Sequence, residues 1–126
     1  MNNKANEIKT GLQHFHGSEM FYHIPLIRTR YTDGLKFLAN AAGCYWLIMD
    51  ASVIAKSLMG KSYFITVDFK QLSERERAEQ QCEAVIIYGD GNGHILETHR
   101  YSVTDFPLDK LRLYFVDNTL MLPSEY

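Results

Sequence analysis

At Gly60 hydrophobic spacing changes from a helical period to a strand period, and that change predicts a helix pair followed by a run of sheet strands. Before it, Leu35, Leu38, Ala39 and Ala42 recur three and four residues apart, as one face of a helix requires. Thr32 and Asp33 are helix-start types and Gly43 sits where a left-handed terminator belongs, which predicts a short helix between them. Tyr45, Trp46, Ile48, Met49, Val53 and Leu58 continue to Gly60 without strand-like alternation, so a second helix should fold back on the first as an αα-hairpin. After Gly60 the period is two. Tyr63, Ile65, Val67 and Phe69 alternate with Thr66, Asp68 and Lys70, the pattern of a half-buried strand.

Further strands are expected at Cys82 to Tyr88, His94 to Tyr101, Leu111 to Val116 and Leu120 to Leu122. Turn chemistry separates them at Gly89 to Gly93, at Thr104 to Pro107 and at Asp117-Asn118. The charged run Ser73 to Gln81 reads as a solvated hairpin connection or a strand extension, with a short helix as the alternative. Upstream, Met20 to Tyr31 is rich in aromatic and branched residues and reads as extended chain, with Pro25 marking an edge strand or irregular segment. Residues 1 to 12 carry only Ile8 and Leu12 as apolar anchors, the pattern of a frayed tail or a short helix ending near Gly17. The expected fold is α+β in two layers, an N-terminal helix pair on one face of a mostly antiparallel sheet of about four to five strands. With 126 residues the chain fits a single domain spanning 1–126, because two half-size domains would each be marginal.

Composition narrows the function classes. Thirteen Lys and Arg against 15 Asp and Glu give a formal net charge of −2, which opposes a main role in gripping nucleic-acid backbone. No apolar run approaches the length of a membrane span and the polar start lacks the layout of a secretory signal, so no membrane partner is expected and the compartment implied is the cytosol. Cys44 and Cys82 are far apart in apolar surroundings and read as buried free thiols.

Few residues invite chemistry. Gly89-Asp90-Gly91-Asn92-Gly93 joins two strands and reads as a turn, since it lacks the ligand ladder of a calcium loop and the strand-to-helix setting of a nucleotide loop. His94 and His99 are five apart and point to opposite faces of a strand, and no metal-binding signature occurs, so neither metal nor cofactor is implied. No serine sits in a nucleophile elbow and neither cysteine has a partner nearby in sequence, so no catalytic residue is named and enzymatic activity stays open. The segment Tyr22 to Gly34 stands out. Arg28 and Arg30 are two apart, share a face of extended chain and lead directly to a helix start, where free amides and forked guanidinium donors favour an anion. This predicts phosphate or carboxylate binding by Arg28, Arg30, Thr32 and Gly34, with Tyr22 and His23 lining the site. The alternative is structural: Asp33 occupies the helix start or pairs with an arginine.

Apolar residues of both parities in Val85-Ile86-Ile87 and Leu113-Tyr114-Phe115 suggest that the uncovered sheet face is partly apolar. The first expectation is therefore a non-enzymatic cytosolic accessory protein that binds a protein partner or itself through that face or through Leu122 to Tyr126. The alternative is a small-ligand binder or enzyme acting on an anionic substrate beside the first confident helix. Taken together, Tyr31-Thr32-Asp33-Gly34, Tyr45-Trp46-Leu47, Asp90-Gly91-Asn92-Gly93, Thr104-Asp105-Phe106-Pro107-Leu108, Leu113-Tyr114-Phe115 and Leu122-Pro123-Ser124-Glu125-Tyr126 resemble a family of small uncharacterised bacterial proteins, from about Leu12 to the terminus. The charged segment Ser73 to Gln81 departs from that family's pattern. The resemblance implies a bacterial domain of unknown function and assigns no site.

Overall fold

The computed structural model describes residues 3–16 and 20–126. A first helix, α1 (Asn3–Leu12), buries Ala5 and Ile8, while Gly17, the end expected from the sequence, lies outside the described residues. Two short strands follow, β1 (Phe21–Ile24) and β2 (Thr29–Thr32), joined by a turn over Pro25 to Arg28. Helices α2 (Asp33–Ala42) and α3 (Tyr45–Ser57) form the expected pair. The Thr32 side chain accepts from Leu35 N, and Gly43 terminates α2 at φ 63°, a conformation glycine adopts without steric cost.

The remaining elements are β3 (Phe64–Gln71), α4 (Glu74–Gln80), β4 (Ala84–Gly89), β5 (Ile95–Tyr101), β6 (Lys110–Val116), β7 (Thr119–Met121) and a 3-10 turn at Pro123–Glu125. The seven strands among the described residues form one sheet of order β1-β2-β7-β6-β3-β4-β5. Neighbours are antiparallel except β2 and β7, which run parallel. The expectation of four to five strands is thus an undercount. The missing strands are the halves of Met20 to Tyr31: Pro25 begins a turn between two four-residue strands, and β2 then docks on β7 from the far end of the chain.

The run Ser73 to Gln81 is neither a plain hairpin connection nor a strand extension but holds the alternative, a helix. Glu76 N donates to Ser73 Oγ and Ser73 N donates to Glu76 Oε1, a reciprocal cap that satisfies two amides at the helix start. Lys70 on β3 reaches Glu76 at 3.1 Å and ties this helix to the sheet.

One face of the sheet meets α2 and α3. Ile65, Val67, Phe69, Ala84, Ile86, Tyr88, Leu113, Phe115 and Leu120 point there and join Leu35, Leu38, Leu47, Ile48 and Ala51 in the main core. Full burial of a side chain such as Leu113 or Phe115 contributes about 1.5–3 kcal/mol. The outer face is mixed: Asp68 accepts two guanidinium hydrogen bonds from Arg112 on the neighbouring strand, while Phe64, Tyr114 and Tyr126 cluster at one end. The tail Leu122 to Tyr126 belongs to the fold, with Leu122 and Glu125 buried and Tyr126 against that aromatic cluster. Cys44 and Cys82 are both buried and free, and burial pushes the Cys44 thiol up to about 12.

Candidate functional site

The six residues expected to bind an anion divide three ways, and strand alternation explains the division. In β1 and β2, Tyr22 faces the helices, stacked on Tyr31 at 5.5 Å with Lys36 of α2 over its ring. His23 and Arg30 are paired across the hairpin and face outward. Thr32 and Gly34 lie at the start of α2, and a carboxylate already stands there. Thr32 Oγ1 donates to Glu125 Oε1 at 2.6 Å, Leu122 N donates to the same oxygen at 3.0 Å, and Gly34 N donates to Glu125 Oε2 at 3.3 Å. The anion at this helix start is therefore supplied by the chain's own C-terminal segment. A Cβ on Gly34 would lie 2.8 Å from that carboxyl group, so glycine is required for the approach. Burial raises the Glu125 acid above the ordinary carboxylate range, against the opposing pull of its three donors, with Asp33 nearby adding to the rise.

His23, Arg28 and Arg30 do converge. Together with Ile24, Pro25, Thr29, Asp117 and Asn118 they line an open groove of about 610 Å³ where the β1–β2 turn meets the β6–β7 turn. Both turns are held by local chemistry. Arg28 N donates to Pro25 O at 3.3 Å, and Arg30 N donates to Asn118 O at 2.9 Å, locking the two hairpins together through the parallel β2–β7 pairing. Asp117 and Asn118 adopt φ 54° and 57°, the pair of left-handed residues that a two-residue hairpin needs. Arg28 is also left-handed, at φ 57°. Among the described residues four non-glycine positions have this backbone; three line the groove, and the fourth, Gln81, ends α4. Asn and Asp tolerate such a conformation, whereas an arginine there carries strain of about 1–2 kcal/mol.

The groove is rich in donors. Arg30 spends Nε on Thr119 Oγ1 at 2.8 Å, lies 4.4 Å over the Phe21 ring and approaches Asp117 only at 3.9 Å, an acid whose side chain is 88% exposed. An ion pair this long and this solvated leaves most of the guanidinium fork available. Lys56 of α3 donates to Asn118 Oδ1 at 2.6 Å and brings another ammonium to the same turn. Thr29 is 2% exposed, and its hydroxyl has no hydrogen-bond partner among the described residues. Thr29 pairs with Ile24 across the hairpin and shares the Tyr22 and Tyr31 face, so its hydroxyl points toward the helices, away from the face that carries His23 and Arg30. Lys56, Asp117 and Asn118 are the residues that sequence reasoning missed. Asp117 and Asn118 reach the groove through the pairing of β2 with β7, about ninety residues away, and Lys56 reaches Asn118 from α3, so no local signal marks them.

Elsewhere the turn Gly89 to Gly93 is closed by its own side chain, with Asp90 Oδ1 accepting from Asn92 N and His94 N. His94 pairs with Asp90 and His99 with Glu97, and no group of three or more potential metal ligands occurs among the described residues. No helix among the described residues is long and apolar enough to cross a membrane.

Fold and groove together define an α+β domain with a donor-rich cleft between two β-hairpin turns. The chain belongs to a family of unknown function, DUF6876, whose model matches residues 6–126. No curated protein and no solved structure matches it.

Proposed function

We propose that this protein binds a small anionic ligand, a phosphate or carboxylate group, in the groove between the β1–β2 and β6–β7 turns. The observation that carries the reading is the convergence of His23, Arg28 and Arg30 on one groove, with Asp117 the only carboxylate among the described residues that line it. Arg30 and Arg28 supply forked donors that match a planar carboxylate or a phosphate edge. His23 adds an imidazole to the groove lining. The left-handed backbone at Arg28 fits the same role, since strain is retained where a side chain must be presented in one direction. Binding alone accounts for these features, and no nucleophile is required. The setting proposed is the cytosol, where the two buried free thiols would remain reduced.

A thermal-shift comparison tests this reading with inorganic phosphate and citrate as probes and glucose as a neutral control. At a ligand concentration of about five times Kd the gain is about 1 kcal/mol, a rise of about 4 °C for a chain of this length. The rise should vanish in Arg28→Gly with Arg30→Gln. An equal rise in that double variant would place the anion elsewhere.

A further inference from the structure

At the opposite edge of the sheet from the groove, we propose that β5 pairs antiparallel with β5 of a second copy of this chain, about a two-fold axis at Thr98, joining two sheets into one. β5 is the outermost strand on this side and spans seven residues, against four for β1 at the other edge. A long edge presents unpaired amides and carbonyls, and natural sheets cover such edges or pair them. Tyr101 O accepts from Glu83 N at 2.9 Å, so the Tyr101 backbone turns inward toward β4. Alternation turns Glu97 and His99 the same way and leaves Thr98 and Arg100 with their backbone groups outward.

A two-fold axis at Thr98 is the register that makes this edge self-complementary. It sets Glu97 opposite the partner's His99 and His99 opposite the partner's Glu97, carboxylate against imidazole twice. Within one chain the same two side chains already contact each other along the strand, half-exposed, so both groups are poised at the edge without being buried. Shifting the axis to His99 would oppose two identical imidazoles, and shifting it to Glu97 would oppose two carboxylates.

The flanking helix supplies the apolar part of the surface. Tyr45, Met49 and Val53 recur every fourth residue along α3 and are all exposed, at 42%, 41% and 46%. Met49 and Val53 line a groove of about 480 Å³ whose other walls include His99, Arg100 and Tyr101 of β5, so the stripe is continuous with the strand edge. Asp50 accepts from Tyr101 Oη at 3.1 Å and Trp46 rests on the Tyr101 ring, which fixes α3 relative to that edge. In the paired arrangement the α3 stripes of both copies face each other across the two β5 strands, and the apolar residues with no cover in one chain gain one.

Sedimentation equilibrium on the full chain tests the proposal. The wild type should sediment at twice 14.6 kDa at micromolar concentration. His99→Glu sets carboxylates against carboxylates and should weaken association by about tenfold or more. Val53→Glu, on the exposed helix stripe, should do the same with an unchanged circular dichroism spectrum. The exchanged pair Glu97→His with His99→Glu restores the complementarity and should restore the dimer. A monomeric wild type throughout, a dimer untouched by both single variants, or an exchanged pair that stays monomeric would each overturn the proposal.

Discussion

Replacing Arg28 by glycine should make the protein more stable and its groove less able to hold an anion. At φ 57° an arginine occupies the left-handed region, where its Cβ crowds the following carbonyl at a cost of about 1–2 kcal/mol. Glycine removes that crowding but adds backbone freedom to the unfolded chain, an opposing contribution of about 0.5–1 kcal/mol. The side chain is exposed and makes no ion pair closer than 4 Å among the described residues, so little else is lost with it. The net expectation is a gain of about 0.5–1 kcal/mol. At about 2.1 cal/mol/K per residue, 126 residues unfold with an entropy of about 265 cal/mol/K, and the gain becomes a rise in Tm of about 2–4 °C. Urea denaturation and calorimetry in phosphate-free buffer measure it, and the same melt repeated in phosphate should show a smaller ligand-induced rise than the wild type. A variant that is less stable than the wild type, with phosphate response intact, would refute both the strain and its link to binding.

Other expectations follow from buried polar groups. Glu125 has its acid strength lowered by burial, so the folded state holds its proton more tightly than the unfolded chain does. Its contribution to stability is then fullest below the ordinary value of 4.5 and declines as pH rises through the raised folded value. Urea stability measured at several pH values should therefore show the wild type gaining on Glu125→Gln as pH falls, and parallel pH profiles would contradict this. Tyr88 is fully buried with a hydroxyl that has no partner among the described residues, so Tyr88→Phe should be neutral or stabilising by up to about 1 kcal/mol, where a hydrogen-bonded tyrosine would lose that amount. Ser73→Ala removes one half of the reciprocal cap on α4 and should cost about 1 kcal/mol, seen in urea denaturation or as faster amide exchange over residues 74–77.

How far the sequence speaks for this fold depends on how local each determinant is. Thr32, Gly43 and the Leu35, Leu38, Ala39 spacing place α2 correctly because caps and periodicity act within a few residues. The Asp117-Asn118 hairpin is legible for the same reason, as a two-residue turn demands two left-handed positions. Helix α4 was legible too: Ser73 and Glu76 have the spacing of a reciprocal cap, yet the density of charge in the segment draws attention from it. The parallel pairing of β2 with β7 and the seating of Glu125 against Thr32 join residues about ninety apart, and no local pattern carries them. The candidate site shows the same division. Arg28 and Arg30 announce themselves by type and spacing, while Asp117 and Asn118 join them only through the pairing of β2 with β7.

The most direct test of the binding account is a titration of inorganic phosphate into the nitrogen-15-labelled protein, followed by amide chemical shifts. The account predicts saturable movement concentrated at residues 23–30 and 117–119, with the amides of Gly34 and of α4 unmoved, and loss of that movement in Arg28→Gly with Arg30→Gln. Movement centred on Gly34 and Leu35 would mean that phosphate displaces Glu125 from the helix start, and saturation with those two turns unmoved would contradict the groove as the site.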